Sequence, residues 1–428
     1  MSLSPEQESR YVRLLEKELV PALGCTEPIA IAYAAASAVD LLGRRPDRMR
    51  AACSGNIIKN VKGVIVPNSG GMKGIETAAI LGALGGDHTR VLETLSTVRP
   101  EDIKETQELV RRGGFCQVDL IEGGCNLHII ITVWAGEESA LVEIRDSHTN
   151  ITRKEKNGQV LFEQEESGEQ AADQPDLTEG LTVETILEFA NTVPLERVEA
   201  VIQRQIDYNT AISEEGLHGH YGAMVGRTLL QMYGDGDVRV RARARAAAGS
   251  DARMNGCVLP VVINSGSGNQ GMTVSLPVIE YARAKNATHE QLIRALLVSN
   301  LVSIHQKSQI GRLSAYCGAV SAAAGAGAAI TYLEGGSLRA IGDTIVNTLA
   351  NVSGIVCDGA KASCAAKIAS SVDAAILGHC MAMEGEHFEA GDGIVQEDVE
   401  STMGNVGRLG RDGMKETDLE ILHMMIGK

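Results

Sequence analysis

From Thr182 onward nearly every stretch of the chain carries the three-to-four-residue apolar spacing of helix, and long parts of it are alanine, glycine and serine. Residues 322–329 read AAAGAGAA. Side chains this small let helices approach closely and let backbone come near a ligand. Helices are expected over residues 183–191, 195–212, 221–232, 289–306, 314–333 and 337–352. Aromatic residues are only 3%, with Trp134 the single tryptophan, against 47 glycines in 428 residues. A chain of that length forms two or three domains, and 44% hydrophobic residues give it the apolar surface for a large core.

The first part reads differently. Residues 6–20 form an amphipathic helix pattern through Val12, Leu14, Leu15 and Leu19. After a break at 21–24, Cys25-Thr26-Glu27-Pro28 opens a second helix reaching about Leu42, since proline in a first turn removes an N–H that would be unpaired there anyway. From Arg48, short apolar runs at 64–66, 118–121, 127–133 and 140–144 alternate with helical stretches at 72–84 and 100–112. Glu-Gly-Gly and Gly-Glu-Glu between the later runs suggest an antiparallel meander. Residues 163–174 are polar and acidic. The expectation is an α+β protein: N-terminal helices at 1–47 packing on the C-terminal region, an α/β unit at 48–163 with a mixed, partly antiparallel sheet, a linker at 164–181, and a larger all-helical domain at 182–428.

Charge excludes several partners. Lys+Arg 39 against Asp+Glu 55 gives a net charge of -16, and phosphate neutralisation needs a basic face, so no nucleic acid is expected. The dense basic run VRVRARAR at 238–245 reads as a solvated helix face. No run of 18 apolar residues lacks polar or glycine breaks, and residues 1–10 have no signal-peptide architecture, so the expected location is the cytoplasm, away from membranes. A homo-oligomer is left open.

Nine cysteines in a reducing compartment are core residues, catalytic thiols or metal ligands rather than a disulfide framework. Cys53, Cys116, Cys257 and Cys380 read as small buried hydrophobes, and Cys125 as either. Cys25, Cys317 and Cys364 each stand at a helix start, the last with Ser363 as expected N-cap, and Cys357 lies in the turn before it. The helix dipole favours thiolate, the form that ligates metal, although a C-x6-C spacing is not by itself specific. Val66-Pro67-Asn68-Ser69-Gly70-Gly71 and Val262-Ile263-Asn264-Ser265-Gly266-Ser267-Gly268-Asn269 echo one another, each between a β-branched run and a helix. Such loops either bind an anion or simply turn the chain.

Gly24-Cys25-Thr26-Glu27-Pro28, Asn264-Ser265-Gly266-Ser267-Gly268-Asn269-Gln270-Gly271, Tyr316-Cys317-Gly318-Ala319-Val320, Val356-Cys357-Asp358-Gly359-Ala360-Lys361 and Cys364-Ala365-Ala366-Lys367 together resemble the L-cysteine desulfidase family, a relative of the iron–sulfur L-serine dehydratases. The resemblance implies a pyridoxal-independent lyase with a four-iron four-sulfur cluster. Cys317, Cys357 and Cys364 look like the three cysteines of the dehydratases, although Gly359 replaces a proline and the last interval is shorter. Cys25 is either a fourth ligand or a displaceable thiol. The implied reaction takes a small amino acid, L-cysteine or L-serine, to pyruvate and ammonia. Asn68, Ser69, Gly70 and Ser265, Gly266, Ser267, Gly268, Asn269 are the candidates for holding the substrate carboxylate; Lys73, His148, His305 and Lys307 are the candidate bases. Two other readings compete: a binding protein for amino acids or small anions with inert cysteines, and a single-zinc enzyme.

Overall fold

The structure is a computed structural model that describes residues 3–123, 125–164, 176–311 and 313–427. Most of the expected linker, residues 165–175, lies outside the described residues.

Ser4 and Gln7 form a capping box, with Pro5 at the first position, to start helix α1 (Pro5–Glu18). A short strand β1 (Pro21–Leu23) leads into α2 (Thr26–Leu42), which is buried on nearly every side. Then come β2 (Arg48–Ser54), α3 (Gly55–Lys62), α4 (Ile75–Gly85), α5 (Pro100–Arg112), and the strands β3 (Cys116–Ile121), β4 (His128–Ala135), β5 (Glu138–Arg145), β6 (Ile151–Lys156) and β7 (Gln159–Glu163). The six-stranded sheet has the order β3-β2-β4-β5-β6-β7. β2 and β3 are parallel, as a crossover through α3, α4 and α5 requires, and the rest is an antiparallel meander. Ile129, Ile131 and Val133 alternate with Val142 and Ile144 in a fully buried face, and α2 lies against β4 and β5 with α4 beyond it. The mixed sheet is as expected, with two differences. Residues 64–66 form a loop closed by one bridge between Ile65 and Lys73, and three strands, β2, the charged β6 and the exposed β7, fall outside the expected runs.

The helical part contains α6 (Val183–Thr192), α7 (Glu199–His218), α8 (Val225–Tyr233), α9 (Val238–Met254), α10 (Gly268–Ala284), α11 (His289–Ile310), α12 (Gly318–Leu333), α13 (Leu338–Val352), α14 (Cys364–Met383), α15 (Val399–Arg408) and α16 (Lys415–Ile426). At its centre α12, the AAAGAGAA helix, packs on α10, α11, α13 and α14. A Cβ on Gly325 would come 2.4 Å from the Ser299 carbonyl of α11, so only a bare backbone permits this spacing.

Three expectations change. Of the two N-terminal helices, α1 does join the helical part: the Tyr11 ring stands edge-on to Phe189 of α6 and its hydroxyl donates to the Gly180 carbonyl at 2.9 Å. The other, α2, belongs to the sheet, because an apolar helix buried on nearly every side must be covered from both sides. The region after residue 182 also holds one strand, β8 (Pro260–Val262), which pairs antiparallel with β1. Finally, three of the four arginines of the VRVRARAR run are held by neighbouring helices rather than merely solvated. Arg241 and Arg245 reach Glu280 of α10 at 3.2 and 3.0 Å, and Arg243 reaches Asp373 of α14 at 2.8 Å. Among the described residues no helix is long and apolar enough to cross a membrane.

Candidate functional site

The small β1–β8 sheet aligns two segments that are far apart in sequence. β1 runs into Gly24 and Cys25, the N-cap of α2, and β8 runs into the Asn264–Ser267 turn that starts α10. The turn closes on itself through reciprocal bonds, Asn264 N–H to the Ser267 carbonyl at 3.1 Å and Ser267 N–H to the Asn264 carbonyl at 3.0 Å. Thr26 Oγ1 then donates to the Gly266 carbonyl at 2.9 Å, which ties the turn to the residue after Cys25. The buried Arg253 at the end of α9 donates from Nε to the Gly24 carbonyl at 2.9 Å, and a Cβ on Gly268 would sit 2.4 Å from that nitrogen.

A second alignment supplies the other thiols. An isolated antiparallel bridge pairs Tyr316 with Val356. Cys317 N–H donates to the Ile355 carbonyl at 3.2 Å and Cys357 N–H to the Ala315 carbonyl at 2.6 Å, so the two cysteines flank one bridge. The chain then turns at Gly359 with φ +92°, where a Cβ would lie 2.3 Å from the Lys59 carbonyl. Proline is locked near φ −65°, which accounts for its replacement here by glycine. Cys364 opens α14; Ser363 precedes it but makes no capping bond.

Cys25, Cys317, Cys357 and Cys364 thereby wall a single cavity of about 100 Å³. Cys25 and Cys364 also share a small apolar cluster with Val64, Met254 and Ala360. Burial, reinforced by Cys357, pushes the Cys317 thiol up to about 12, and burial likewise raises Cys364. Cys25 is raised well above its ordinary value by burial and then by Glu27, whose Oε2 its Sγ meets at 3.0 Å. The expected lowering at helix starts is therefore overridden, because removing a thiolate from water outweighs half a unit of dipole charge. The carboxylates go the other way. Burial pushes Glu27 up, but His148, Cys25 and Arg253 bring it down to about 2. Burial likewise opposes ionisation of Asp358, which Lys361 and Lys367 bring to about 2, while Lys367 is raised against its own burial by Asp358 and the thiols of Cys317 and Cys364.

Lys307 of α11 lines this cavity, as do Ser267 and Asn269. Gly266 faces a neighbouring cavity, and Ser265 is turned away onto Asn264 Oδ1 at 2.9 Å. The first glycine loop does not participate. Asn68 donates to the Leu95 carbonyl at 2.7 Å, Ser69 bonds the Met72 backbone, and Gly70 lies against Ile103 and Gln107. This loop turns behind the Cys25 segment, with Pro67 packed on Gly24, so the echo between the loops is only a shared turn. Lys73 is exposed and outside the cavity. His305 pairs with Glu400 at 2.6 Å, and His148 is buried with Nε2 3.8 Å from Glu27 Oε1. Cys53, Cys116 and Cys257 are buried as expected, whereas Cys380 is exposed. Glu27, Arg253, Gln270 and Lys367 complete the cavity wall. Glu27 and Lys367 stand inside the quoted motifs. Nothing in the sequence separates Arg253 from the other arginines of its helix. Among the described residues no three His, Cys, Asp or Glu side chains are arranged to hold one metal ion.

Comparison with known proteins bears out the serine dehydratase side of the resemblance. Residues 89–423 match the serine dehydratase alpha chain family. The chain is 56% identical to a UPF0597 protein of Lachnoclostridium phytofermentans, over 97% of this chain and 99% of the relative. It is 49% identical to one of Treponema denticola, over the whole of both, and 40% identical to one of Parabacteroides distasonis, over 98% of each. A family match across well over half its length makes this chain a member of the serine dehydratase alpha chain family.

Proposed function

We propose that the chain is a pyridoxal-independent iron–sulfur lyase that removes the β-substituent of L-cysteine or L-serine and yields pyruvate, ammonia and sulfide or water. The observation that carries this reading is the meeting of four thiols from three distant segments around one cavity. The donor set fits a four-iron four-sulfur cluster: the ligands are all thiols, Arg253 and Lys367 bring positive charge, and a cubane offers each thiolate its own iron, so the sulfurs need not converge on a point. Cys317, Cys357 and Cys364 would hold it, with Cys25 as fourth ligand or displaceable thiol. When bound, the cluster supplies a Lewis-acidic iron for the leaving group. Metal binding would also offset the raised thiol pKa values, because ligation drives off the proton. Free thiols and such a cluster both suit a reducing compartment, and we assign the enzyme to the cytoplasm.

The surrounding side chains do the rest. Asn269 Oδ1 and Gln270 Oε1 are buried without hydrogen-bond partners among the described residues, two acceptors suited to a substrate ammonium. Arg253 and the first N–H groups of α10 attract the carboxylate. Lys307, the base candidate that lines the cavity, takes the α-proton. The aminoacrylate product hydrolyses in water. A soft thiolate leaving group suits cluster iron better than hydroxide, so cysteine should outpace serine.

Anaerobically reconstituted protein assayed for pyruvate and sulfide across a panel of amino acids tests the reading. Cys317→Ala should lose both the thiolate-to-iron absorbance and turnover. Lys307→Gln should keep the absorbance and lose about 10²–10⁴ in kcat, the usual share of a general base. Full activity in iron-free protein would overturn the mechanism. A complete cluster with no product from any amino acid would favour a binding protein.

A further inference from the structure

On the other side of the Cys25–Glu27 segment lies a second cavity of about 420 Å³, four times the volume of the cysteine cavity. The two share a thin wall. Gly266 lines the outer cavity and the next residue, Ser267, lines the inner one. Glu27 faces inward to the thiols and His148 outward, with 3.8 Å between Oε1 and Nε2. His148 is 5% exposed, and its Nε2 has no hydrogen-bond partner among the described residues. That nitrogen is turned toward Glu27, its ion-pair partner, so the imidazole closes the wall between the two cavities. The rim carries Lys17 and Arg90, both exposed, with Glu93 beside them, while Leu92 and Ile263 supply apolar surface. Val91, on the same wall, holds φ +52° and ψ −108°, a conformation that a β-branched residue rarely adopts.

Charges of both signs around a small apolar patch match a zwitterion with a short side chain, and the volume falls in the range of small-molecule sites. We propose that the outer cavity binds the free α-amino acid before it reaches the cysteines, its carboxylate toward Lys17 and Arg90 and its ammonium toward Glu93. This rests on the lyase reading for the identity of the ligand, but not for the existence of the site.

The test uses calorimetric titration of L-serine into full-length Cys317→Ala protein, which should neither hold a cluster nor turn over substrate. Saturable binding is expected. The double variant Lys17→Glu/Arg90→Glu, made in that background, should weaken it at least tenfold. Thr149→Trp, an exposed lining position where an indole would plug the opening, should do the same while circular dichroism stays unchanged. Absence of saturable heat overturns the proposal, as does unchanged affinity in the rim and plug variants. Binding to Cys317→Ala together with an inactive reconstituted wild type would keep the site and sink the lyase. Active wild type whose KM ignores the rim charges would do the reverse.

Discussion

At the scale of single residues, Gly359 shows how far the site depends on one backbone conformation. Its φ of +92° is a region where a side chain meets the backbone, and a Cβ there would press within 2.3 Å of the Lys59 carbonyl. The left-handed conformation alone costs about 1–2 kcal/mol for a non-glycine residue, and forced overpacking adds about 1–3 kcal/mol. Gly359→Ala should therefore lower stability by about 2–4 kcal/mol and impair cluster loading, since the turn carries Cys357 on one side and leads to Cys364 on the other. Gly354→Ala, five residues earlier with nothing within 4 Å of its Cβ, should do little. Thermal melts and iron content of both variants check this; equal effects would mean that the turn is compliant. The four cysteines could be read from the sequence because their motifs are local: a helix start or a tight turn is written in neighbouring residues. Arg253 and Lys59 could not, because a buried cation is indistinguishable from an exposed one until its tertiary partners are known. The pKa expectation failed for the same reason, since helix starts are visible in sequence and burial is not.

At the scale of elements, α8 illustrates how a helix end is satisfied inside the protein. It packs so tightly on α9 that a Cβ on Gly226 would lie 2.4 Å from the Ala244 carbonyl, which keeps water from the first N–H groups of α8. Asp251 of α9, itself fully buried, takes that role: Oδ2 accepts from Gly226 N–H at 3.0 Å, while Oδ1 has no partner among the described residues. Burial raises this carboxyl to about 6, with the backbone N–H groups of Gly226 and Val225 working against the rise. Its folded pKa thus stands above the unfolded value of about 3.9, so the folded state binds the proton more tightly. Below pH of about 4 both states are protonated and nothing is lost; stability falls as pH rises through that window and the full loss, roughly 3 kcal/mol at about 1.4 kcal/mol per unit, is present above pH of about 6. Asp251→Asn keeps an acceptor for Gly226 and removes the buried charge. Urea denaturation should show the variant more stable than wild type at pH 8, with the difference shrinking toward pH 4; a constant difference would assign the effect to packing. Long helices such as α11 and α14 were legible because their apolar period extends over many residues. β6 and β7 were not: the charged β6 has no apolar alternation, and β7 is five residues exposed on both faces, even though Asn157-Gly158 between them, both at positive φ, is the mark of a tight hairpin.

At the scale of the whole molecule, the sheet and the helical part meet at the cysteines, and Lys59 fixes that meeting. It rises from α3, next to the sheet, and its side chain is 1% exposed. Its ammonium pairs with Asp418 of α16 and lies 3.4 Å from the Cys357 carbonyl, while Asn56 donates to Asp418 at 2.7 Å. One cation thus joins the N-terminal unit, the last helix of the chain and the turn of a candidate ligand. α16 otherwise packs chiefly on α3 and the 409–413 turn, with Leu422 filling the space over Gly55, so the ion pair is its main polar anchor. Breaking a buried pair by removing one partner costs about 3–5 kcal/mol because the remaining charge is left uncompensated, whereas replacing both by apolar groups is often close to neutral. Asp418→Ala should therefore destabilise by several kcal/mol and release α16 to protease, whereas Lys59→Met/Asp418→Leu should recover most of the loss in urea denaturation. The two defects should also separate functionally: the double variant, though stable, lacks the cation beside the Cys357 carbonyl, and its reconstituted cluster spectrum should differ from wild type. If the double variant is as unstable as Asp418→Ala, the pair is not what holds the last helix down, and the apolar contact of Leu422 with α3 must be carrying it.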